Sequence, residues 1–467
     1  MFKGVDMSKE MKNVLLATGL ACLSGMLCMM SLPLRATDLP AAVVDADYYD
    51  AGTPNPEKVE LGRALFFDKI LSGNKNISCA SCHHPLTYTT DRLSLGAGEG
   101  GQFHGAFRTT GLGDSAIRGR IGRNAPALFN LGAKEFVRLN LGGINEQTAA
   151  GLRLLSGRFT PSGLDNVLAG QALFPLIIGA EMLGQAGEND VVDAVSSSTQ
   201  SGQRGASSFP AKWEVLVQRL RDVPEYVSYF QSAFPDVDSA QKMGISHVVN
   251  AIAAFQAAEF RSDNSPFDHY LRGDTDALSG AQLRGMDLFY NKANCASCHS
   301  GKFQTDQNFH AIAMPQFGPG AQTLGALEQD DTGRQGVTQN TADYYKFRTP
   351  SLRNVALTGP YGHTGAYATL EGVIRHHLDP AQAFASWDRS QVRMPSRSDL
   401  DAIDFKVVDD PNRSQPIVLA NELAPMDLTD EEMGDLVSFL HALTDPDMLD
   451  LRRTIPTAVP SGLPVGD

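Results

Sequence analysis

Cysteine is scarce in this chain of 467 residues, which carries six. Four sit in two short motifs and two, Cys22 and Cys28, in an N-terminal apolar stretch, so none is left for a disulfide in the body of the chain. Tryptophan is scarcer still, at Trp213 and Trp387 alone. Basic charge falls short of acidic, with 39 Lys and Arg against 53 Asp and Glu and a formal net charge of −14. That balance argues against a nucleic-acid partner; it fits a basic protein partner and equally a solvated acidic surface. Beyond residue 32 no apolar run is long enough to span a bilayer. Strand signals are also few, and apolar residues recur at helical spacing instead. The expected fold is therefore mainly α.

The N-terminus is expected to be an export signal over residues 1–36. Lys9 and Lys12 precede an apolar run from Val14 to Leu32, and Met11 offers a second start that gives a more usual signal length. Cleavage after Ala36 is compatible with the signal, although Leu34 is a poor residue near a cleavage site. The run is also long enough to stay as a membrane anchor. A lipid on Cys22 is disfavoured because Gly19 stands where such a site usually has Leu.

What is present is a motif given twice: Cys79-Ala80-Ser81-Cys82-His83 and Cys295-Ala296-Ser297-Cys298-His299. Cys-x-x-Cys-His is the attachment sequence of a c-type haem. Two thiols at that spacing each close a thioether on a porphyrin vinyl group, and the next residue puts an imidazole under the iron. A redox or zinc Cys-x-x-Cys is the alternative. Both copies carry the His, and neither has a second cysteine pair nearby for zinc. Two covalently bound haems c are expected, with Cys79, Cys82, Cys295 and Cys298 as attachment points and His83 and His299 as iron ligands. Such haems are attached outside the cytoplasmic membrane, which agrees with an export signal and places the protein in the periplasm.

Asn55-Pro56 predicts a helix start, with Asn as cap and Pro in the first turn. Its face Val59, Leu61, Leu65 and Phe66 leads into the first motif. Residues 93–123 are Gly-rich and predict a loop. Gly163–Leu183 has helical spacing broken by Pro175, and residues 196–208 predict a surface loop. Residues 239–260 give the strongest helical period in the chain. A domain boundary is expected after it, which divides the chain into 37–262 and 263–467. The second part repeats the first: Ser279 and Gln282 form a capping box, a helix follows, then a motif. Thr369 starts a helix through His377, residues 385–427 are expected to be an irregular insertion, and Thr429 with Glu432 caps a last helix through Leu443. The expected architecture is two cytochrome c-like haem domains with long loops and little strand.

These features resemble the bacterial di-haem cytochrome c peroxidase and MauG superfamily. The resemblance rests on Leu61-Gly-Arg-Ala-Leu-Phe-Phe67, Leu71-Ser-Gly73, Arg123-Asn-Ala-Pro126, Glu181-Met-Leu-Gly184, Ser265-Pro-Phe-Asp268, Thr349-Pro-Ser-Leu-Arg353-Asn and Pro360-Tyr-Gly-His363-Thr-Gly. It implies that hydrogen peroxide reacts at the first haem and that electrons pass through the second. Peroxidases that need reductive activation carry a Gly-His-Gly segment; the matching residues here are Gly98-Glu99-Gly100, so Glu99 replaces the ligating His and the iron is expected to be open. His104, five residues on, is the alternative ligand. The resemblance makes Glu181 the residue that moves the peroxide proton and Gln171 a hydrogen-bond partner of the peroxide. It makes His377 the distal ligand of the second haem, with the neighbouring His376 about 100° away on the helix. It further implies Ca²⁺ between the halves, held by Asn124 and the carbonyls of Thr358 and Pro360. Arg353 is expected near a propionate and His363 between the halves. The family's Phe-Trp-Asp-Gly-Arg element is replaced by Leu139-Asn-Leu-Gly-Gly143, which puts an inter-haem route through Trp in question.

The expected function is a c-type di-haem peroxidase, an oxidoreductase whose electron donor is a small cytochrome c or a cupredoxin. The alternatives are a MauG-like enzyme that oxidatively modifies a side chain of a partner protein and a non-catalytic di-haem electron carrier. A homodimer is compatible with the sequence.

Overall fold

The computed structural model describes residues 39–104, 107–194, 208–320 and 330–466, the side chains at 104 and 107 excepted. The signal or anchor expected over 1–36 and nearly all of the loop expected over 196–208 lie outside the described residues, as does the side chain of His104. No described helix is long and apolar enough to cross a membrane.

The fold is mainly helical. In the first half α1 (Pro56–Phe67) leads to α2 (Cys79–Cys82), and α3 (Val167–Ala172), α4 (Phe209–Arg221), α5 (Pro224–Ala233) and α6 (Ile245–Glu259) follow. The Asn55 side chain accepts from Lys58 N at the start of α1, as the Asn-Pro pair predicts. The long predicted helix begins later than its apolar period, at Ile245, because Gly244 is its extended N-cap and Ala240–Lys242 form a separate 3₁₀ turn.

In the second half come α7 (Pro266–Leu271), α8 (Gly280–Tyr290), α9 (Gln335–Thr338), α10 (Leu370–Leu378) and α11 (Pro380–Ala385). They are followed by α12 (Ser398–Asp404), α13 (Lys406–Asp409), α14 (Pro411–Leu419) and α15 (Asp430–Ala442). Both predicted capping boxes form: Ser279 Oγ accepts from Gln282 N, and Thr429 Oγ1 accepts from Glu432 N. The stretch 385–427 is not wholly irregular, since α12, α13 and α14 lie in it. They are short and charged, with Pro416 inside α14, so they show no long apolar period to read.

Strand is confined to short antiparallel pieces: β1 (Gln102–His104) with β2 (Phe107–Thr109), β3 (Arg138–Leu139) with β4 (Asn145–Thr148) and β5 (Gly151–Arg153), and β6 (Phe309–His310) with β7 (Phe347–Arg348).

One packing device appears twice. In α1 a Cβ on Gly62 would lie 1.9 Å from the Ala251 carbonyl oxygen of α6. In α8 a Cβ on Gly285 would lie 1.9 Å from the Asp435 carbonyl oxygen of α15. Each crossing brings a helix that precedes a haem motif against a long helix at backbone contact, and each is sealed by a phenylalanine, Phe255 or Phe439, fully buried. The first core gathers Leu61, Leu65, Phe66, Phe67, Leu216, Phe230, Ile252 and Phe255; the second gathers Phe267, Phe289, Leu436 and Phe439.

The C-terminal tail returns to the first core, where Met448, Leu451 and Val459 are buried. Buried Asp68 holds it there by accepting from Ser461 Oγ at 2.7 Å and from Tyr226 Oη at 2.6 Å. The Gly-rich loop of 93–123 is covered by α12: Leu400 packs on Leu93, Ala97 and Ile117, and Arg120 donates to Asp404 at 2.8 Å and Asp401 at 2.9 Å.

Candidate haem sites

The first motif forms one turn of helix, α2, with Ser78 ahead of it as N-cap. That turn points both thiols, Cys79 and Cys82, to one side. Burial pushes each thiol up to about 12, so both are neutral at physiological pH. His83 follows as the C-cap. Its Nδ1 donates to the Thr89 carbonyl at 2.9 Å, which leaves the Nε2 lone pair for a metal.

Glu181 lies on a single π-helical turn, Gly179–Leu183, after α3 and the 3₁₀ turn Pro175–Ile177. The segment breaks at Pro175 as the sequence predicts. The turn is clamped from both sides: Gly73 N donates to Met182 O at 2.8 Å, and Glu99 N donates to Ala180 O at 3.1 Å. Glu181 is within electrostatic reach of the Cys82 sulfur. Burial alone pushes its carboxyl up to about 7, with no cation nearby to counter it. The side chain is half-buried, so the surrounding protein desolvates it without packing directly on every side.

Glu99 is buried, and its Oε1 accepts from Asn74 Nδ2 at 2.9 Å and Asn76 Nδ2 at 2.7 Å. The loop that carries it is stapled by buried Arg108, whose guanidinium donates to the carbonyls of Ala97, Gly98 and Gly101 at 2.6–2.9 Å. Nothing in the sequence singled out Arg108, because its partners are backbone carbonyls. Gln171, on α3, accepts from Asn145 Nδ2 at 2.6 Å through Oε1, so its own amide NH₂ remains as a donor.

The second motif is a 3₁₀ turn, Cys295–Ser297, running into Cys298 and His299. His299 Nδ1 donates to the Gln304 carbonyl at 3.2 Å. Burial, with His377 beside it, pushes this imidazole down to about 4 and keeps it neutral. The His299 and His377 ring centroids are 6.4 Å apart. Metal–imidazole bonds of about 2.0–2.1 Å, plus about 1.1 Å from each nitrogen to its ring centre, put two imidazoles on one metal at roughly 6.3 Å. The two rings therefore fit an iron between them. His377 Nδ1 donates to Val373 O at 2.8 Å, so its Nε2 is the free nitrogen.

His376 has no free nitrogen. Its Nε2 donates to Ile312 O at 2.6 Å and its Nδ1 accepts from Tyr367 Oη at 2.8 Å. It is fully buried, and burial pushes it down to about 3.

The other expected residues are placed as follows. Arg353 is buried against Asp268 at 2.5 Å and also donates to Lys302 O, so its guanidinium is engaged within the protein. His363 stacks on Phe347 with ring centroids 3.9 Å apart and lies near the Arg123–Asp331 ion pair; its buried Nε2 has no partner. Asn124 Nδ2 donates to Leu93 O at 2.7 Å, which leaves its Oδ1 free. Among the described residues no backbone N–H donates to the carbonyls of Thr358 or Pro360.

The stretch Leu139–Gly143 holds no aromatic residue, but the Phe309 ring lies against it, 2.4 Å from where a Cβ on Gly143 would be. Trp213 packs on Phe209, in the same buried cluster as Leu139, and Trp387 packs on Phe317. Cys298, Asp306 and His310 bring ligand-type atoms within 4.8 Å of one another. Cys298 belongs to the haem motif, and His310 is paired with Asp306 at 2.9 Å and Glu422 at 3.4 Å, so this group supports the pocket wall.

The family model described as di-haem cytochrome c peroxidase matches residues 56–276. The methylamine utilization protein MauG of Methylorubrum extorquens is 29% identical over 83% of this chain and 78% of its own length. The cytochrome-c peroxidase IdrP1 of Pseudomonas sp. is 28% identical over 83% of this chain and 81% of its own. A solved MauG-like protein associated with microbial copper homeostasis superposes with a TM-score of 0.53 at 27% identity, over 91% of this chain and 98% of that one. The two Cys-x-x-Cys-His turns stand beside these likenesses: residues 56–276 match the di-haem cytochrome c peroxidase model, and most of the chain is similar to proteins named MauG and cytochrome-c peroxidase.

Proposed function

We propose that the chain is a periplasmic di-haem peroxidase that reduces hydrogen peroxide at the haem of His83, with electrons passed through the haem of His299. When bound, the first haem supplies an iron with a vacant position for peroxide, and the second supplies electrons. The two haem-bearing halves are residues 37–262 and 263–467. The observation that carries this reading is Glu181: a carboxyl desolvated by the surrounding protein, within electrostatic reach of Cys82, with no counter-cation and pushed up to about 7.

A carboxyl poised near neutrality works as base and as acid in one cycle. Glu181 takes the proton from one peroxide oxygen and returns it to the other as the O–O bond breaks. Two electrons and two further protons complete reduction to two waters. The Gln171 amide, its carbonyl tied to Asn145, donates to the peroxide and orients it. Glu99, held by two asparagines where other members carry a ligating His, keeps the peroxide side open. His299 and His377 would hold the second haem iron, while His376 is committed to Tyr367 and Ile312. Asn124 Oδ1 and the carbonyls of Thr358 and Pro360 are the oxygens for a Ca²⁺.

A second reading, oxidation of a side chain on a partner protein, is favoured by Glu99 and by the likeness to proteins named MauG and MauG-like. One experiment separates the readings. The diferric protein is mixed with stoichiometric peroxide, then offered a reduced small cytochrome c or cupredoxin. Peroxide consumption without prior reduction, followed by oxidation of two donors per peroxide, is expected of the peroxidase. Consumption with no donor oxidised would favour the protein-modifying reading. An EPR spectrum with two low-spin haems and no reaction would leave only an electron carrier.

A further inference from the structure

Three arginines with little exposure meet acids: Arg120 meets Asp404, Arg123 meets Asp331 and Arg353 meets Asp268. Buried Arg108 is instead satisfied by three backbone carbonyls. Arg348, on β7, has neither arrangement. It is 8% exposed, and among the described residues no carboxylate lies within ion-pair reach. One terminal nitrogen donates to Gln307 Oε1 at 3.1 Å and to Thr349 O at 3.3 Å. Its Nε is buried without a partner, and so is Nε2 of Gln307, itself 7% exposed. Burial with no opposing anion pushes Arg348 down to about 10.

An unpaired buried cation beside an unpaired buried amide donor is costly unless an acceptor joins them. The Nε edge of a guanidinium presents two parallel N–H donors and matches a planar carboxylate. The position says which carboxylate. The Gln304 carbonyl, three residues before Gln307, binds the His299 ring, and the Pro350 carbonyl, two residues after Arg348, acts on it electrostatically. The strand is held in place from the other half, since Arg348 N donates to Leu141 O at 2.9 Å.

We infer that Arg348 and Gln307 form a clamp for one propionate carboxylate of the haem attached at Cys295 and Cys298. Arg348 Nε and its free terminal nitrogen grip the carboxylate, and Gln307, oriented by accepting from Arg348, adds a third donor. The clamp sets a positive charge at the haem edge, which favours the reduced state of that iron. Arg353, which the sequence points to for this role, is committed to Asp268.

The inference rests on the di-haem reading, and its test separates the two. The full-length holoprotein is compared with R348Q, R348K and Q307L by spectroelectrochemical titration and resonance Raman spectroscopy, with haem content read as the pyridine haemochromogen. In R348Q the midpoint potential of the low-spin haem falls and its propionate bending bands shift. R348K restores the potential in part, and Q307L shifts the bands with a smaller change in potential. The other haem keeps its potential throughout. If R348Q fails to fold, R348K and Q307L carry the test by the band shift alone. Two haems per chain with propionate bands unmoved in the variants would overturn the clamp. So would changes confined to the high-spin haem. Fewer than two haems in the unaltered protein would remove the di-haem reading and the clamp with it.

Discussion

Glu181→Gln separates catalysis from stability at one position. The folded carboxyl sits at about 7 against an ordinary value of 4.5. Keeping it ionised in the fold therefore costs about 3 kcal/mol relative to water, at about 1.4 kcal/mol for each pH unit. Because the folded pKa is the higher one, the native state retains a proton that the unfolded chain gives up between pH 4.5 and 7. Stability falls as pH rises through that window and levels off above it. Gln removes the titration and keeps the shape. The variant should unfold in urea at a similar midpoint at pH 4.5 and should be more stable than the parent at pH 8, by up to about 3 kcal/mol. Peroxide turnover should fall by about 10²–10⁴, the usual contribution of a positioned acid–base group. The limb near neutrality in the parent's pH–rate profile should vanish, while Soret and EPR spectra stay unchanged. Turnover within a few-fold of the parent, with the limb retained, would refute the proton-transfer role. An unchanged pH dependence of stability would refute the burial that underlies it.

Other substitutions test the scaffold. His377→Ala should convert the low-spin haem signal to high-spin in EPR. His376→Ala should keep the low-spin signal and lose about 1–3 kcal/mol in urea unfolding, because Tyr367 Oη and Ile312 O lose their buried partner; a low-spin signal surviving only in His377→Ala would reverse the assignment. Gly62→Ala and Gly285→Ala each drive a methyl to 1.9 Å from a carbonyl of the crossing helix, so each should cost at least about 1–3 kcal/mol as α1–α6 or α8–α15 separate. Melting temperatures equal to the parent's would contradict those crossings. Asp68→Ala frees the tail from Ser461 and Tyr226 and should make the tail the first site of limited proteolysis, with destabilisation of about 2–4 kcal/mol.

Features written in adjacent residues were legible without coordinates. The haem motifs, the Asn55-Pro56 start of α1, the Ser279/Gln282 and Thr429/Glu432 boxes and the break at Pro175 all depend on contacts within a few positions, where spacing dictates geometry. The helices of 385–427 were not legible, because they are short, charged and stabilised by packing on the Gly-rich loop through Leu400 and Arg120. Glu181 illustrates a mixed case. Its apolar surroundings are visible in Leu173–Ile178, but the placement of its turn depends on Gly73 and Glu99 gripping it from distant parts of the chain.

By itself, then, the sequence carried two haem c attachment motifs and named the cysteines and histidines expected to hold them, since such a motif needs only two thiols and an imidazole in one turn. Only the tertiary structure decided which of two adjacent histidines is free to reach the second iron and which of two nearby arginines is left without an anion. His376 and His377 are equivalent in composition and differ only in that Tyr367 and Ile312 claim the first. Arg348 and Arg353 differ only in that Asp268, far away in the chain, neutralises the latter. Ligand and charge-pair choices of this kind are set by what folding brings within about 3 Å, and no spacing along the chain records that.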